Sequence, residues 1–366
     1  MPTIEQLELG PKTNIRELVE AFPIAEQVLT KFGLHCAGCG VNKYENIEAG
    51  AKAHGLRVEP IVAALEEARR TGGVPTISDE DRTPLRRAPG EFTKRARFKH
   101  VVPIMSGKGG VGKSLVTSLL AVGLRAENLK VGILDADITG PSIPRLFNLR
   151  EPLMLAEDPH GKPGPQGQPA QPLMVPAVSR SAIEIVSSNL LTDQEDTAMI
   201  WRGPILSGVI RQFYEQVMWS DLDILLIDLP PGTSDAPLTV LQSLAVDGVV
   251  LVTMPQALAT MIVRKAANLI HQLKKPILGV VENMSYFEAP DTGKRYDVFG
   301  PSHADRVAEL AQANVLARIP IKPKLMELAD SGRVEEIDDP ICIQLARNLV
   351  DALVTTPRPK QEISLI

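Results

Sequence analysis

Along residues 99–357, short apolar runs alternate with longer stretches whose apolar positions recur every three or four residues. The runs predict strands at 101–105, 131–134, 183–186, 224–227, 248–253 and 277–281, each rich in Val, Ile and Leu. The longer stretches predict helices at 114–126, 204–217, 259–273, 302–312 and 341–353. Uninterrupted apolar strands separated by helices predict an α/β fold, a parallel twisted sheet covered by helices on both faces.

The first 70 residues follow a different pattern, that of a small all-α domain. Asn14 is placed to cap a helix through Arg16, Glu17, Leu18 and Val19, and Pro23 opens a second helix at 24–32 that Gly33 ends. Further helical stretches are expected at 46–54 and 60–70, the latter with Ile61, Val62, Leu65 and Ala68 on one face. A core this small gains from a metal site or from docking onto a neighbour. Residues 71–98, with Gly72-Gly73, several prolines and the basic end Lys94-Arg95-Ala96-Arg97, are expected to be a linker. The larger α/β region is placed at 99–357 and a short tail at 358–366; Pro, Gly and Gln make 157–176 a flexible insertion in this reading.

The first predicted strand runs directly into Gly107-Lys108-Gly109-Gly110-Val111-Gly112-Lys113-Ser114, which opens the first predicted helix. Glycines let successive backbone N–H groups converge on a phosphate, and the helix N-terminus adds partial positive charge. In that setting Lys113 is placed to reach the β- and γ-phosphates of ATP and the Ser114 hydroxyl to ligate Mg²⁺. Asp228, closing the apolar run Ile224-Leu225-Leu226-Ile227, is the candidate second Mg²⁺ anchor. The turn Pro230-Pro231-Gly232-Thr233 lies where a γ-phosphate sensor would sit, and Asp137 is the candidate for orienting the attacking water.

Composition narrows the partners. The 366 residues carry a net charge of -5 and only 4% aromatics, so neither a basic field nor a base-stacking platform for nucleic acid is expected. No apolar run reaches the length of a bilayer span, and Met1-Pro2-Thr3-Ile4-Glu5 starts no basic and apolar leader. The expectation is a cytoplasmic protein that binds no membrane.

Lys108 makes the phosphate loop resemble that of the deviant Walker-A ATPases, the group of MinD, ParA and the nitrogenase iron protein. The resemblance implies a homodimer in which Lys108 crosses to the partner's phosphates, like an arginine finger. Four further runs are similar to the Mrp/ApbC family of ATPases that carry iron–sulfur clusters. They are Asp135-Ala136-Asp137-Ile138-Thr139-Gly140-Pro141-Ser142, Trp201-Arg202-Gly203-Pro204, Asp228-Leu229-Pro230-Pro231-Gly232-Thr233-Ser234-Asp235 and Glu282-Asn283-Met284-Ser285-Tyr286-Phe287. What the resemblance implies is an ATP-hydrolysing carrier that transfers clusters to iron–sulfur apoproteins or assembly factors, with Asn283 against the adenine. Rival readings are a MinD/ParA-like positioning ATPase, an electron-donating reductase and a nucleotide-switched scaffold that has lost cluster binding.

The family typically follows its Asn-Met-Ser run with Cys-Pro-x-Cys, two thiolates from each subunit for a bridging [4Fe–4S] cluster. Here Ala289-Pro290-Asp291-Thr292 occupies that stretch, and neither alanine nor threonine is a soft iron ligand. Two of the three cysteines stand instead at Cys36 and Cys39, after His35 in a glycine-bearing loop. That pair reads as half of a cluster or metal site, as a redox dithiol, or as inert thiols. Cys342, on an apolar helix face, reads as core.

Overall fold

The structure, a computed structural model, describes residues 9–32, 34, 46–48, 51, 57–78, 98–138, 140–157, 172–191, 203–233, 235–289 and 291–358. The chain divides into two compact units, Met1–Glu91 with Val178–Ile183, and Phe92–Ala177 with Glu184–Ile366.

The first unit is helical. Asn14 accepts hydrogen bonds from the Arg16 and Glu17 amides and starts the helix Ile15–Ala21. Ile24–Lys31 follows, and Val58–Thr71 ends on Gly72 in the left-handed conformation. Ile15, Leu18, Val28, Leu29, Ile61 and Leu65 are buried together, so the unit has an apolar core of its own.

The second unit holds all of the sheet's residues but Val178. In chain order the strands are β1 (Phe98–Ser106), β2 (Val131–Asp135), β3 (Leu155–Ala156), β4 (Leu173–Met174), β5 (Ala177–Val178) and β6 (Glu184–Ser187). They continue with β7 (Leu222–Asp228), β8 (Val249–Thr253), β9 (Ile277–Glu282), β10 (Phe287–Glu288), β11 (Arg295–Tyr296) and β12 (Val315–Arg318). Eight of them form one sheet in the order β12-β9-β8-β1-β7-β2-β6-β5, and every pair from β12 to β6 is parallel.

Strand side chains alternate between faces, which sorts the core into two layers. Met105, Leu225, Ile227 and Leu251 pack with Ile210, Phe213, Val240, Val263, Ile270 and Val307 from the helices Gly203–Glu215, Asp235–Ser243, Ala257–Gln272 and Ala304–Ala311. Their neighbours Val102, Ile104, Leu226 and Val250 are equally buried. On the sheet also lie the helices Lys113–Ala126, against β1, β2 and β7, and Pro340–Thr355, against β9 and β12.

The expected insertion at 157–176 contains a strand among its described residues. Leu173 and Met174 pair antiparallel with Ala156 and Leu155, and Val175 is buried against Ala156 and Met218. At 172–176 a short apolar run recovers burial by lying along a neighbour, which composition alone does not reveal; residues 158–171 of the expected insertion lie outside the described residues. The helices Ile143–Leu146, Asp235–Ser243 and Pro323–Asp330 and the edge strand β12 also went unread in the sequence.

Candidate functional site

The carboxyl ends of β1, β2, β7, β8 and β9 converge on the glycine-rich loop, the place where open parallel sheets bind ligands. β1 is central, between β7 and β8, so the loop leaves the middle of the sheet. Gly107 passes so close to the helix Ala257–Gln272 that a Cβ there would lie 2.8 Å from the Ile262 Cγ2. Gly112 has φ +79° and immediately precedes the helix Lys113–Ala126, a backbone that side-chain-bearing residues rarely adopt.

Asp228, at the end of β7, is fully buried and is the hub of the site. Its Oδ2 lies 2.8 Å from the Lys113 Nζ and accepts a hydrogen bond from the Ser114 hydroxyl at 2.6 Å. Its Oδ1 accepts from the Thr117 hydroxyl at 2.7 Å. Thr117 is the contributor that sequence reasoning missed. It lies one turn beyond Ser114 on the same helix face, and that spacing is the signal that could have found it. The donor set of carboxylate and hydroxyl oxygens fits a hard cation such as Mg²⁺, and the ammonium of Lys113 fits a phosphate.

Asp135 ends β2 in register with Asp228 and is also fully buried. It accepts from the Ser187 hydroxyl at 3.0 Å and from the amides of Asp137 and Ile143 at 3.2 and 3.4 Å. Burial, reinforced by the nearby Asp228 carboxylate, pushes the Asp135 carboxyl up to about 8. These amide contacts turn the chain just after β2, and Asp137 there is half-buried. On the other side, the Gly232 amide donates to the Ser106 carbonyl at 2.9 Å and ties the Pro230-Pro231-Gly232-Thr233 turn to the start of the phosphate loop.

Lys108 is half-buried, and its ammonium donates to the Gln256 side-chain carbonyl of its own chain. Asn283 lies just past β9, 3% exposed, and its side-chain amide donates to the Val111 carbonyl at 2.9 Å. Gly107, Lys108, Gly109, Gly110, Val111, Gly112, Lys113, Ser114, Asp228 and Asn283 are thus brought together, while Asp137 is tied by its amide to Asp135. Thr139, Trp201, Arg202 and Ser234, named in the sequence runs, lie outside the described residues.

Beyond this site, Ala289 and exposed Thr292 sit in the turn between β10 and β11, which closes with the Gly293 amide on the Ala289 carbonyl at 2.8 Å. Cys36 and Cys39 fall outside the described residues, as does His35. Cys342 is buried and free, its thiol pushed up to about 12 by that burial. Among the described residues no group of three or more His, Cys, Asp or Glu is arranged to hold a metal, and no helix is long and apolar enough to cross a membrane.

A parallel sheet whose central strand feeds a glycine-rich loop, with a lysine, a serine and a strand-end aspartate gathered beneath it, defines a nucleotide-binding P-loop NTPase. Comparison with known proteins places it more closely. Residues 97–354 match the family described as ParA, NUBPL iron-transfer P-loop NTPase, and the chain belongs to that family. Residues 10–62 match a domain of unknown function, DUF1858. The chain is 42% identical over 246 residues to the iron–sulfur cluster carrier protein of Clostridium perfringens, covering 67% of this chain and 84% of that one. It is 39% identical over 239 residues to the cytosolic Fe-S cluster assembly factor CFD1 of Saccharomyces cerevisiae, covering 64% of this chain and 78% of that one. Among solved structures, a nucleotide-binding protein from Archaeoglobus fulgidus in complex with ADP is similar at 41% identity and a TM-score of 0.56, covering 67% of this chain and 90% of that one.

Proposed function

We propose that this chain is a Mg·ATP-dependent carrier that binds iron–sulfur clusters and hands them to apoproteins, with nucleotide held between two copies of the chain. The observation that carries the reading is the buried Asp228 carboxylate with Lys113, Ser114 and Thr117 gathered on it at the mouth of the phosphate loop. It stands in a chain that shares 42% identity with a protein named as a cluster carrier.

When nucleotide enters, Lys113 turns from Asp228 to the β- and γ-phosphates; Ser114 and Asp228 would hold Mg²⁺, which would supply charge neutralisation at those phosphates. Asp137 orients the attacking water. Lys108 leaves Gln256 and reaches the phosphates of the second copy, so that turnover requires two chains to close. The backbone amides of Gly109, Gly110, Val111 and Gly112 supply the remaining neutralisation.

The cluster is the cargo, and the β10–β11 turn has no thiolate to offer it, since Ala289 and Thr292 stand there. Cys36 and Cys39 are assigned as its ligands, with the same pair from a second copy completing a four-thiolate site. Anaerobic reconstitution of the wild type and of Cys36→Ala/Cys39→Ala, with iron, sulfide and absorbance measured with and without Mg·ATP, tests this. Cluster uptake by the wild type and its loss in the variant is expected. Equal, near-zero iron in both would make the chain a nucleotide-switched scaffold.

A further inference from the structure

At the end of β1 opposite the phosphate loop, charged and titratable groups gather where the strand begins. Arg358, just beyond the helix Pro340–Thr355, reaches back to that end. Its Nη2 donates to the Lys99 carbonyl at 3.1 Å, and its Nε stands 3.5 Å from the Asp247 Oδ1. The same Nη2 is 3.4 and 3.5 Å from the two ring nitrogens of His100. Asp247, just before β8, is tied to the strand: its Oδ2 accepts from the Val101 amide at 2.8 Å, and its own amide donates to the Val101 carbonyl at 3.0 Å. At the start of β7, Asp223 is taken up by the Lys99 Nζ at 2.6 Å and by the Lys130 amide at 2.8 Å. Tyr214, its hydroxyl pushed up to about 12 by burial, stays neutral, and Lys275 also feels the Asp247 carboxylate.

The consequence is electrostatic. With His100 neutral, one ring nitrogen is an acceptor, and Arg358 is held by the Lys99 carbonyl, the Asp247 carboxylate and the imidazole. With His100 charged, both ring nitrogens are donors, and a second cation stands against the guanidinium. Asp247 attracts both and must then divide between them, while Asp223 is committed to Lys99. Burial is the main cause that holds the imidazole below its ordinary 6.5; Arg358 and Lys99 add to the shift, and Asp247 and Asp223 oppose it. Protonation therefore costs the folded chain more than the unfolded one. The contact is fully present above about pH 6.5 and is lost as pH falls through the lowered value.

We propose that Arg358 and His100 form a pH-sensitive clasp that fastens the tail across the start of β1, closed while the imidazole is neutral and open once it is charged. The clasp lies a full strand away from the phosphate loop, so it reads acidification without contacting the nucleotide site.

The test uses the full chain as wild type, Arg358→Gln and His100→Gln, with proton NMR of the histidine Hε1 resonances and amide hydrogen exchange of residues 352–358. The resonance missing from His100→Gln identifies His100. Its titration midpoint is expected below that of a free histidine in the wild type and higher in Arg358→Gln, which removes the opposing cation. Exchange, corrected for the intrinsic pH dependence of amides, is expected to rise about three- to tenfold in the wild type between about pH 7.5 and about pH 5, the scale of one hydrogen bond. In Arg358→Gln it should be fast at both pH values, and in His100→Gln, whose side chain is neutral throughout, equal at both. A His100 midpoint unmoved by Arg358→Gln would show that the two side chains do not meet and would overturn the proposal. A rise that persists in His100→Gln would assign the switch to another group, and a wild-type tail that exchanges equally at both pH values would leave no switch at all; either result overturns the clasp.

Discussion

Replacing Lys113 by alanine leaves the Asp228 carboxylate buried with two hydroxyl donors and no cation. In the wild type the ammonium stands 2.8 Å from Oδ2, with the lysine side chain 6% exposed and the aspartate side chain 0%. Removing one partner of such a pair costs about 3–5 kcal/mol, because the remaining charge is stranded out of water. The bonds from Ser114 and Thr117 persist, each worth about 1.5–3 kcal/mol to a charged acceptor, and hold the loss toward the lower end. At about 2–4 °C per kcal/mol for a large domain, the nucleotide-free variant should melt about 6–12 °C below the wild type. Circular dichroism melts in EDTA without nucleotide measure this. The double variant Lys113→Met/Asp228→Asn should recover most of the loss, since it strands no charge. A Lys113→Ala midpoint within about 2 °C of the wild type would show that the pair does not hold the nucleotide-free site together, and the reasoning would fail.

Two further outcomes are expected. Lys108→Ala should keep Mg·ATP affinity, since the lysine is bonded to Gln256 and not to the loop, yet lose turnover by about a thousandfold, the scale of a missing arginine finger; steady-state phosphate release checks this, and a normal rate would contradict it. Asp135 should make the nucleotide-free protein less stable as pH rises. Its carboxyl is raised by burial from 3.8 to about 8, so between those values the folded chain keeps a proton that the unfolded chain has released. Urea midpoints at about pH 6 and pH 8.5 should differ in the wild type and converge in Asp135→Asn; an unchanged slope in the variant would contradict that assignment.

The central sheet was legible because its strands are buried on both faces and read as apolar runs. The predicted strand at 224–227 is found as β7, Leu222–Asp228, and that at 131–134 as β2, Val131–Asp135. The phosphate loop was legible because its chemistry is local: eight consecutive residues specify the backbone that cradles the ligand. What escaped notice depends on distance or context. β12 is four residues long, Val315–Arg318, too short for any periodicity, and becomes a strand by pairing with β9. The helix Asp235–Ser243 was hidden by the Pro- and Gly-rich turn before it and by Pro237 in its first turn, where proline is tolerated. Thr117 carries no motif of its own and gains meaning only from the Asp228 carboxylate, 111 positions away. The Asn283–Val111 contact spans 172 positions, so nothing short of the fold could show that the amide is occupied.

The most direct measurement is calorimetric titration of the nucleotide-free full chain with Mg·ATP, run beside Lys113→Ala. Saturable binding of one nucleotide per chain in the wild type, absent from the variant, is the predicted result. A wild type with no affinity for Mg·ATP, or a variant that binds as tightly, would contradict the assignment of the Gly107–Ser114 loop as the nucleotide site.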